Sequence, residues 1–472
     1  MTHIEATNSE YIENRTFDEI NIGDSATLIR TLRQEDIQMY AIMSGDINPS
    51  HVDPEYAHSS MLREVIAHGM WGGALISNVL GTRFPGPGTV YVDQSLHFAL
   101  PVRVGDTLTV VITCEKKFPR NHHIIFDCVC SNQDGQKVIS GTAEVLAPTE
   151  KIKRLKASLP DFKLSESRKV RFEHLLEITK GLSPISMAVA HPCDTESLKG
   201  ALLARDRGLI VPTLVGPEDK IRQIAEANQL DLYGCTLINV AHSHAAAEVA
   251  VSLAREGQVE ALMKGSLHTD ELMGEVIDKA TGLRTARRIS HVFLMDVPTY
   301  PRLLFITDAA VNVAPNLEDK VDIVQNAIDL ARMLKIADPK VAILAAVETV
   351  NPKMQATLDA AALCKMADRG QITGGLLDGP LAFDNAISVV AARTKGIKSA
   401  VAGQADILLV PDIESGNMLA KQLEYLADAL TSGIVLGARV PIVLTSRADS
   451  AETRTASTAV AMVMAHAKRK KL

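Results

Sequence analysis

Ser44-Gly45-Asp46-Ile47-Asn48-Pro49-Ser50-His51 decides how the first third of this chain is read. The run sets a carboxylate and an imidazole five residues apart. Gly tolerates positive φ and Pro biases its predecessor towards extended backbone. Gly45-Asp46 and Asn48-Pro49 therefore predict turns, in a segment kept out of regular helix. An Asp and a His on one rigid loop can share a water and move its protons, which is general acid–base chemistry. The plainer alternative makes Asp46 a turn cap and His51 a surface histidine.

The flanks favour the chemical reading. Tyr40-Ala41-Ile42-Met43 leads in, and Ile66-Ala67-His68-Gly69-Met70-Trp71-Gly72-Gly73 reads as a turn opening an apolar, small-residue helix. Beyond it, residues 89–98, 107–118, 122–130 and 137–146 are rich in β-branched side chains, with Gly105-Asp106 and Asp134-Gly135 as turn signals. One long helix followed by an antiparallel meander is the expected α+β architecture.

In order and spacing these residues resemble the MaoC-like dehydratases, hot-dog-fold enoyl-CoA hydratases specific for the (R)-3-hydroxy product. The resemblance implies a hot-dog domain over residues 1–148. It implies that Asp46 and His51 activate water and that the Gly69 N–H stabilises enolate-like charge on the thioester oxygen. Asn48 would orient the loop or the water, and His68 would shape the same pocket.

At 472 residues the chain exceeds one ordinary core. A net charge of -7 and an aromatic content of 4% argue against a nucleic-acid partner. The polar N-terminus shows no signal peptide, and no apolar run is long enough to span a membrane, so a cytoplasmic protein is expected. The six cysteines, at positions 114, 128, 130, 193, 235 and 364, include no CxxC spacing, so reduced structural thiols are expected. Cys128 and Cys130 are placed on one face of a strand. No metal site is expected. His242-x-His244 with Glu248 lies in an alanine-rich helical segment without an evident third ligand. His122 and His123 alternate across a strand.

Pro148 ends the first pattern. Residues 149–171 carry Lys151, Lys153, Arg154, Lys156, Lys163, Arg168, Lys169 and Arg171 around Pro160, and read as a charged linker rather than a patch for CoA phosphates. Over residues 172–472, short apolar runs at 185–190, 210–215, 236–239, 260–263, 303–307, 340–345, 407–410 and 442–445 alternate with helical patterns. That grammar predicts a mostly parallel, helix-covered α/β sheet with ligands at the carboxyl ends of its strands.

Lys264-Gly265-Ser266-Leu267-His268-Thr269 follows one such run and opens a helix, a plausible anion site but not a P-loop. Thr307-Asp308-Ala309-Ala310-Val311-Asn312 and Thr445-Ser446-Arg447-Ala448-Asp449-Ser450 close others. With Ser290-His291-Val292-Phe293, Val347-Glu348-Thr349, Asp378-Gly379-Pro380 and Gly403-Gln404-Ala405-Asp406, they form an ordered set. The set resembles the phosphate acetyl/butyryltransferases across residues 172–472, which implies a two-lobed α/β domain. In that family, phosphate attacks a CoA thioester to give an acyl phosphate and free CoA. Arg447 would hold phosphate through its planar fork, and Ser446 would bond the thioester oxygen. Lys264, Ser266, Asp308 and Asp449 are the further substrate-binding candidates. The acetyl-transferring branch places an aspartate where this chain has Thr453, leaving Asp449 and Glu452 as nearby carboxylates. Ser-Arg-Ala-Asp-Ser looks closer to the butyryl-transferring branch.

The resulting expectation is a bifunctional hydratase and phosphate acyltransferase acting on acyl-CoA substrates, with no permanently bound cofactor and a homo-oligomeric state. Two alternatives keep the hydratase and make the C-terminal domain either an acyl-CoA sensor or an oligomerising module.

Overall fold

The computed structural model describes residues 3–4, 10–159, 168–446 and 449–470. It divides into two compact units, Met1–Leu164 and Ser165–Leu472.

The first unit is a hot dog. Its sheet runs in the order His3–Ile4, Ser25–Thr31, Thr107–Phe118, His123–Ser131, Lys137–Leu146, Val90–Gln94, and His97–Phe98 also pairs with Lys137–Leu146. The meander is antiparallel, and its two longest-paired strands alternate over most of their length. Leu108, Val110, Ile112 and Cys114 face inward from one strand, and Ile124, Phe126, Cys128 and Cys130 from the next. Burial pushes the Cys128 and Cys130 thiols up to about 12, so they pack as small hydrophobes.

Helix Gly69–Thr82 lays Trp71, Leu75, Ile76, Val79 and Leu80 on this face. Each such side chain contributes about 1.5–3 kcal/mol through burial. Close approach needs glycine at one point, because a Cβ on Gly72 would stand 2.2 Å from Ile139 Cδ1. The longest elements that escape the sequence reading here are the strand Ser25–Thr31, which pairs with Thr107–Phe118, and the helix Gln34–Ser44.

The described ends of the basic run 149–171 are held by specific contacts. Lys153–Leu155 pairs antiparallel with Tyr11–Glu13, and Lys151 Nζ donates to Asn14 O at 2.7 Å and to Glu19 at 2.9 Å. At the other end Arg171 is buried and donates to Asp428 at 3.0 Å and to the Asp296 carbonyl at 2.8 Å. Fixed acceptors on each unit draw in these cations. Lys163 and Pro160 lie outside the described residues.

The second unit is built on an eleven-stranded sheet. Its order is Thr236–Asn239, Ile210–Gly216, Ile185–Ala190, Ala261–Lys264, Ile442–Val443, Leu430–Leu436, Ser290–Asp296, Leu304–Thr307, Ile407–Leu409, Lys340–Leu344, Leu376–Leu381. The parallel pairings match the expected alternation of strand and helix. The centre does not. Ser290–Asp296 runs antiparallel to both neighbours, and Leu430–Leu436 is antiparallel to Ile442–Val443. Both central strands are almost wholly buried, so they lack the two-residue alternation that marks a half-exposed strand.

Limited trypsin digestion should cut first between Lys156 and Arg168 and leave two resistant fragments, because Lys151 and Arg171 are held on the units either side. First cuts inside either unit would contradict this division.

Candidate active sites

In the first unit, Gly45 ends the helix Gln34–Ser44 in the left-handed region at φ 75°, its N–H donating to Ala41 O. Pro49 does not exclude helix, contrary to the expectation for this run. It occupies the first position of a one-turn helix, Pro49–Val52, where its missing N–H costs nothing. The Asn48 side chain caps that turn by accepting from Ser50 N at 3.0 Å, and Asp46 Oδ1 accepts from Asn48 N at 3.2 Å. Asp46 is thus a turn cap as well as an exposed carboxylate.

The one-turn helix aims His51 at the start of helix Gly69–Thr82. His51 Nδ1 lies 2.8 Å from Ile66 O, and His68 Nε2 lies 2.9 Å from Asp46 O. A carbonyl only accepts, so each of these nitrogens carries a proton, and in the neutral rings the opposite nitrogens present lone pairs. The two rings stand 4.0 Å apart, and Tyr40 lies 4.9 Å from His68. His68 is buried with Nδ1 unpartnered. Ligand atoms of Asp46, His51 and His68 fall within 4.8 Å of one another. A carboxylate and two imidazoles gathered this closely can hold a water between them.

Gly69 begins the helix, where backbone N–H groups lack intrahelical acceptors. His51, His68, Gly69, Trp71, Phe98 and Ile139 border a cavity of about 270 Å³, and the Phe98 ring would lie 3.3 Å from a Cβ on Gly69. All five candidates in this unit therefore gather in one region, with Asn48 acting through the loop.

In the second unit the strand order reverses direction around Ile185–Ala190, whose neighbours are Ile210–Gly216 and Ala261–Lys264. Crevices at such switch points collect ligands at the strands' carboxyl ends. His191, Lys264 and Ser266 sit there. The Ser266 hydroxyl donates to His191 O at 3.0 Å, accepts from Cys193 N at 3.2 Å and lies 3.1 Å from His191 Nδ1. Its proton is committed to joining two loops. Burial, reinforced by Lys220, holds the His191 pKa below the ordinary histidine value.

Ser446 follows the strand Ile442–Val443. Its N–H donates to Asp449 Oδ2 at 2.7 Å, and burial pushes the Asp449 pKa up, against the pull of that N–H. Beneath them lies a residue that the sequence reading passed over. Arg454 is completely buried and donates to Lys264 O at 3.1 Å, Thr445 Oγ1 at 2.8 Å and Ser446 O at 3.0 Å. It pins Ser446 to the lysine loop. The available signal was an arginine set among the Ala, Ser and Thr that open helix Ala451–Arg469.

Asp308 is buried and spends its carboxylate on Ala310 N, Val311 N and Asn312 N, at 2.9, 3.0 and 3.2 Å. It shapes the loop that carries Ala309 and Ala310 to the edge of a cavity of about 640 Å³, which Ser446 also borders. Arg447 lies outside the described residues. His242 is the cap of helix Ser243–Arg255, its Nδ1 accepting from Ala245 N at 3.2 Å.

Residues 243–462 match the model of the phosphate acetyl/butyryl transferases, and residues 21–125 match that of the MaoC like domain. The phosphate acetyltransferase of Rhizobium meliloti is 61% identical over 299 residues, 63% of this chain and 95% of that protein. The chain belongs to the phosphate acetyl/butyryltransferase family. It carries in addition an N-terminal MaoC-like domain. The phosphate butyryltransferase of Clostridium acetobutylicum is 43% identical over 287 residues, 61% of this chain and 95% of that protein. The acetyl-named relative is the nearer of the two over the domain as a whole. Among solved structures, the R-hydratase PhaJ1 of Pseudomonas aeruginosa is 38% identical, with a TM-score of 0.32, over 33% of this chain and 99% of that chain.

Replacing Arg454 by Ala would strand three acceptors and should lower the stability of the second unit by about 3–5 kcal/mol, as for a broken buried charge network. Arg454→Lys, which keeps the charge without the fork, should fall between, and the first unit should melt unchanged. Urea unfolding of the variants measures this. Equal stability of wild type and Arg454→Ala would show that the arginine holds nothing.

Proposed function

We propose that the chain is a bifunctional acyl-CoA enzyme. Its first unit hydrates trans-2-enoyl-CoA to (R)-3-hydroxyacyl-CoA, and its second transfers an acyl group from CoA to phosphate. The observation that carries the first half is His51, held through Nδ1 by Ile66 O so that Nε2 is left for substrate, beside Asp46 and the helix-opening N–H of Gly69.

In this reading His51 Nε2 and Asp46 draw a proton from water as its oxygen bonds to C3 of the enoyl thioester. The π electrons move onto the thioester oxygen, where the Gly69 N–H stabilises them. The proton then returns to C2, so the sum is addition of one water. His68, buried against both groups, keeps their spacing.

In the second unit an oxygen of hydrogen phosphate attacks the thioester carbonyl, the C–S bond breaks, and the proton given up by the phosphate passes to sulfur so that CoA leaves as thiol. Ser446 borders the cavity where the carbonyl would sit and is assigned to its oxygen. Arg447 is assigned to phosphate, Lys264 to the anionic end of the crevice, and Asp449 to holding Ser446. The relatives' names and the retained Ser-Arg pair support catalysis over a sensing role. CoA thioesters and phosphate are substrates, and no resident cofactor is required. We place the protein in the cytoplasm as a homo-oligomer.

Asp46→Asn and His51→Ala should each cost about 10²–10⁴-fold in hydration of crotonyl-CoA, with phosphate-dependent CoA release from butyryl-CoA retained. Near-normal hydration by folded His51→Ala would remove that residue from the mechanism. Arg447→Ala should reduce phosphate-dependent CoA release by about 10²–10³-fold, by analogy with loss of one oxyanion donor, and Arg447→Lys should do less. A wild-type chain that binds acyl-CoA but releases no CoA with phosphate would leave the sensor reading standing.

A further inference from the structure

The larger cavity beside Ser446 has an uneven lining. Phe293, Ala309, Ile413, Met418 and Leu444 give it an apolar side that suits an acyl chain, while Glu414, Asn417 and Lys421 line the rest. Into that wall is set His291, which is completely buried. The ring lies edge to face with Phe293 at 4.4 Å. Glycine at 433 makes room for it, since a Cβ there would stand 3.0 Å from His291 Nε2.

Neither ring nitrogen of His291 has a hydrogen-bond partner. Burial lowers its pKa, against the pull of Asp308 and of the nearby Leu444 carbonyl, which favours the charged ring without a well-formed hydrogen bond. The ring is therefore neutral, with one donor and one acceptor. A buried pair of this kind left unmet is costly, and native interiors rarely keep one without use. A ligand hydroxyl, itself both donor and acceptor, is the smallest group able to serve either nitrogen.

We infer that His291 recognises a hydroxyl on the acyl chain, and that the second unit takes 3-hydroxyacyl-CoA, the class of product assigned to the first unit, in preference to the unsubstituted acyl-CoA. The inference rests on the transferase reading of the Ser446 site. It assigns His291 to specificity: the hydroxyl sits against the ring while the thioester carbonyl lies at Ser446. The proton count of the transfer is unchanged.

The test compares phosphate-dependent CoA release from (R)-3-hydroxybutyryl-CoA and butyryl-CoA in the full-length chain and its His291→Phe and His291→Asn variants. Wild type should favour the hydroxyacyl thioester in kcat/KM by about fivefold or more, a factor in the range of one hydrogen bond. His291→Phe should bring the ratio to about one, and His291→Asn should restore part of it. The ratio is taken within one sample, so a smaller folded fraction does not move it. A wild-type ratio at or below one overturns the inference, as does a ratio left unchanged in His291→Phe. If wild type releases no CoA from any thioester, the transferase reading itself has failed. If it does so without discrimination, only the role of His291 has.

Discussion

Two carbonyl oxygens fix the orientation of both histidines at the candidate site of the first unit. Ile66 O and Asp46 O can only accept, so they dictate which nitrogen of His51 and of His68 carries the proton. Everything else in that unit serves the placement. The left-handed Gly45 turns the chain out of one helix, Pro49 and Asn48 start the next turn, and the apolar helix behind Gly69 brings its open N-terminus alongside. The Asp46 backbone holds His68 while its side chain faces the shared space, so one residue couples loop geometry to chemistry.

The second unit solves a comparable problem with a buried cation. Three loops at the carboxyl ends of the sheet have to keep register, and Arg454 gathers two of them through backbone oxygens. The Ser266 hydroxyl ties in the third, at His191 and Cys193. Catalytic groups on loops gain precision when the loops share such anchors. The antiparallel strands at the centre also matter, because Ser290–Asp296 carries His291 and Phe293 to the cavity that Ser446 borders.

Much of this was legible in the sequence where structure is local. The meander showed itself through β-branched runs separated by Gly105-Asp106 and Asp134-Gly135, and most strands of the second unit through short apolar runs alternating with helical patterns. The Asp46–His51 loop was readable because its turn chemistry lies within eight residues. What escaped was long-range or fully buried. Ser290–Asp296 and Leu430–Leu436 are buried on both faces, so neither orientation nor pairing leaves a pattern. Arg454 reaches Lys264 across 190 residues, which no spacing rule connects. Pro49 was read as a helix breaker although at the first helical position it is a helix starter. Lys151 and Arg171 looked like solvated charge because their partners, Asn14 and Asp428, are distant in the chain.

The most direct test of two chemistries in one chain is a single cuvette holding wild-type protein and crotonyl-CoA, with enoyl absorbance and free thiol followed together. Phosphate is withheld and then added. The account predicts that enoyl absorbance falls before phosphate is present while no thiol appears, and that thiol is released once phosphate arrives. Unchanged enoyl absorbance before phosphate, or thiol released equally with and without it, would contradict it.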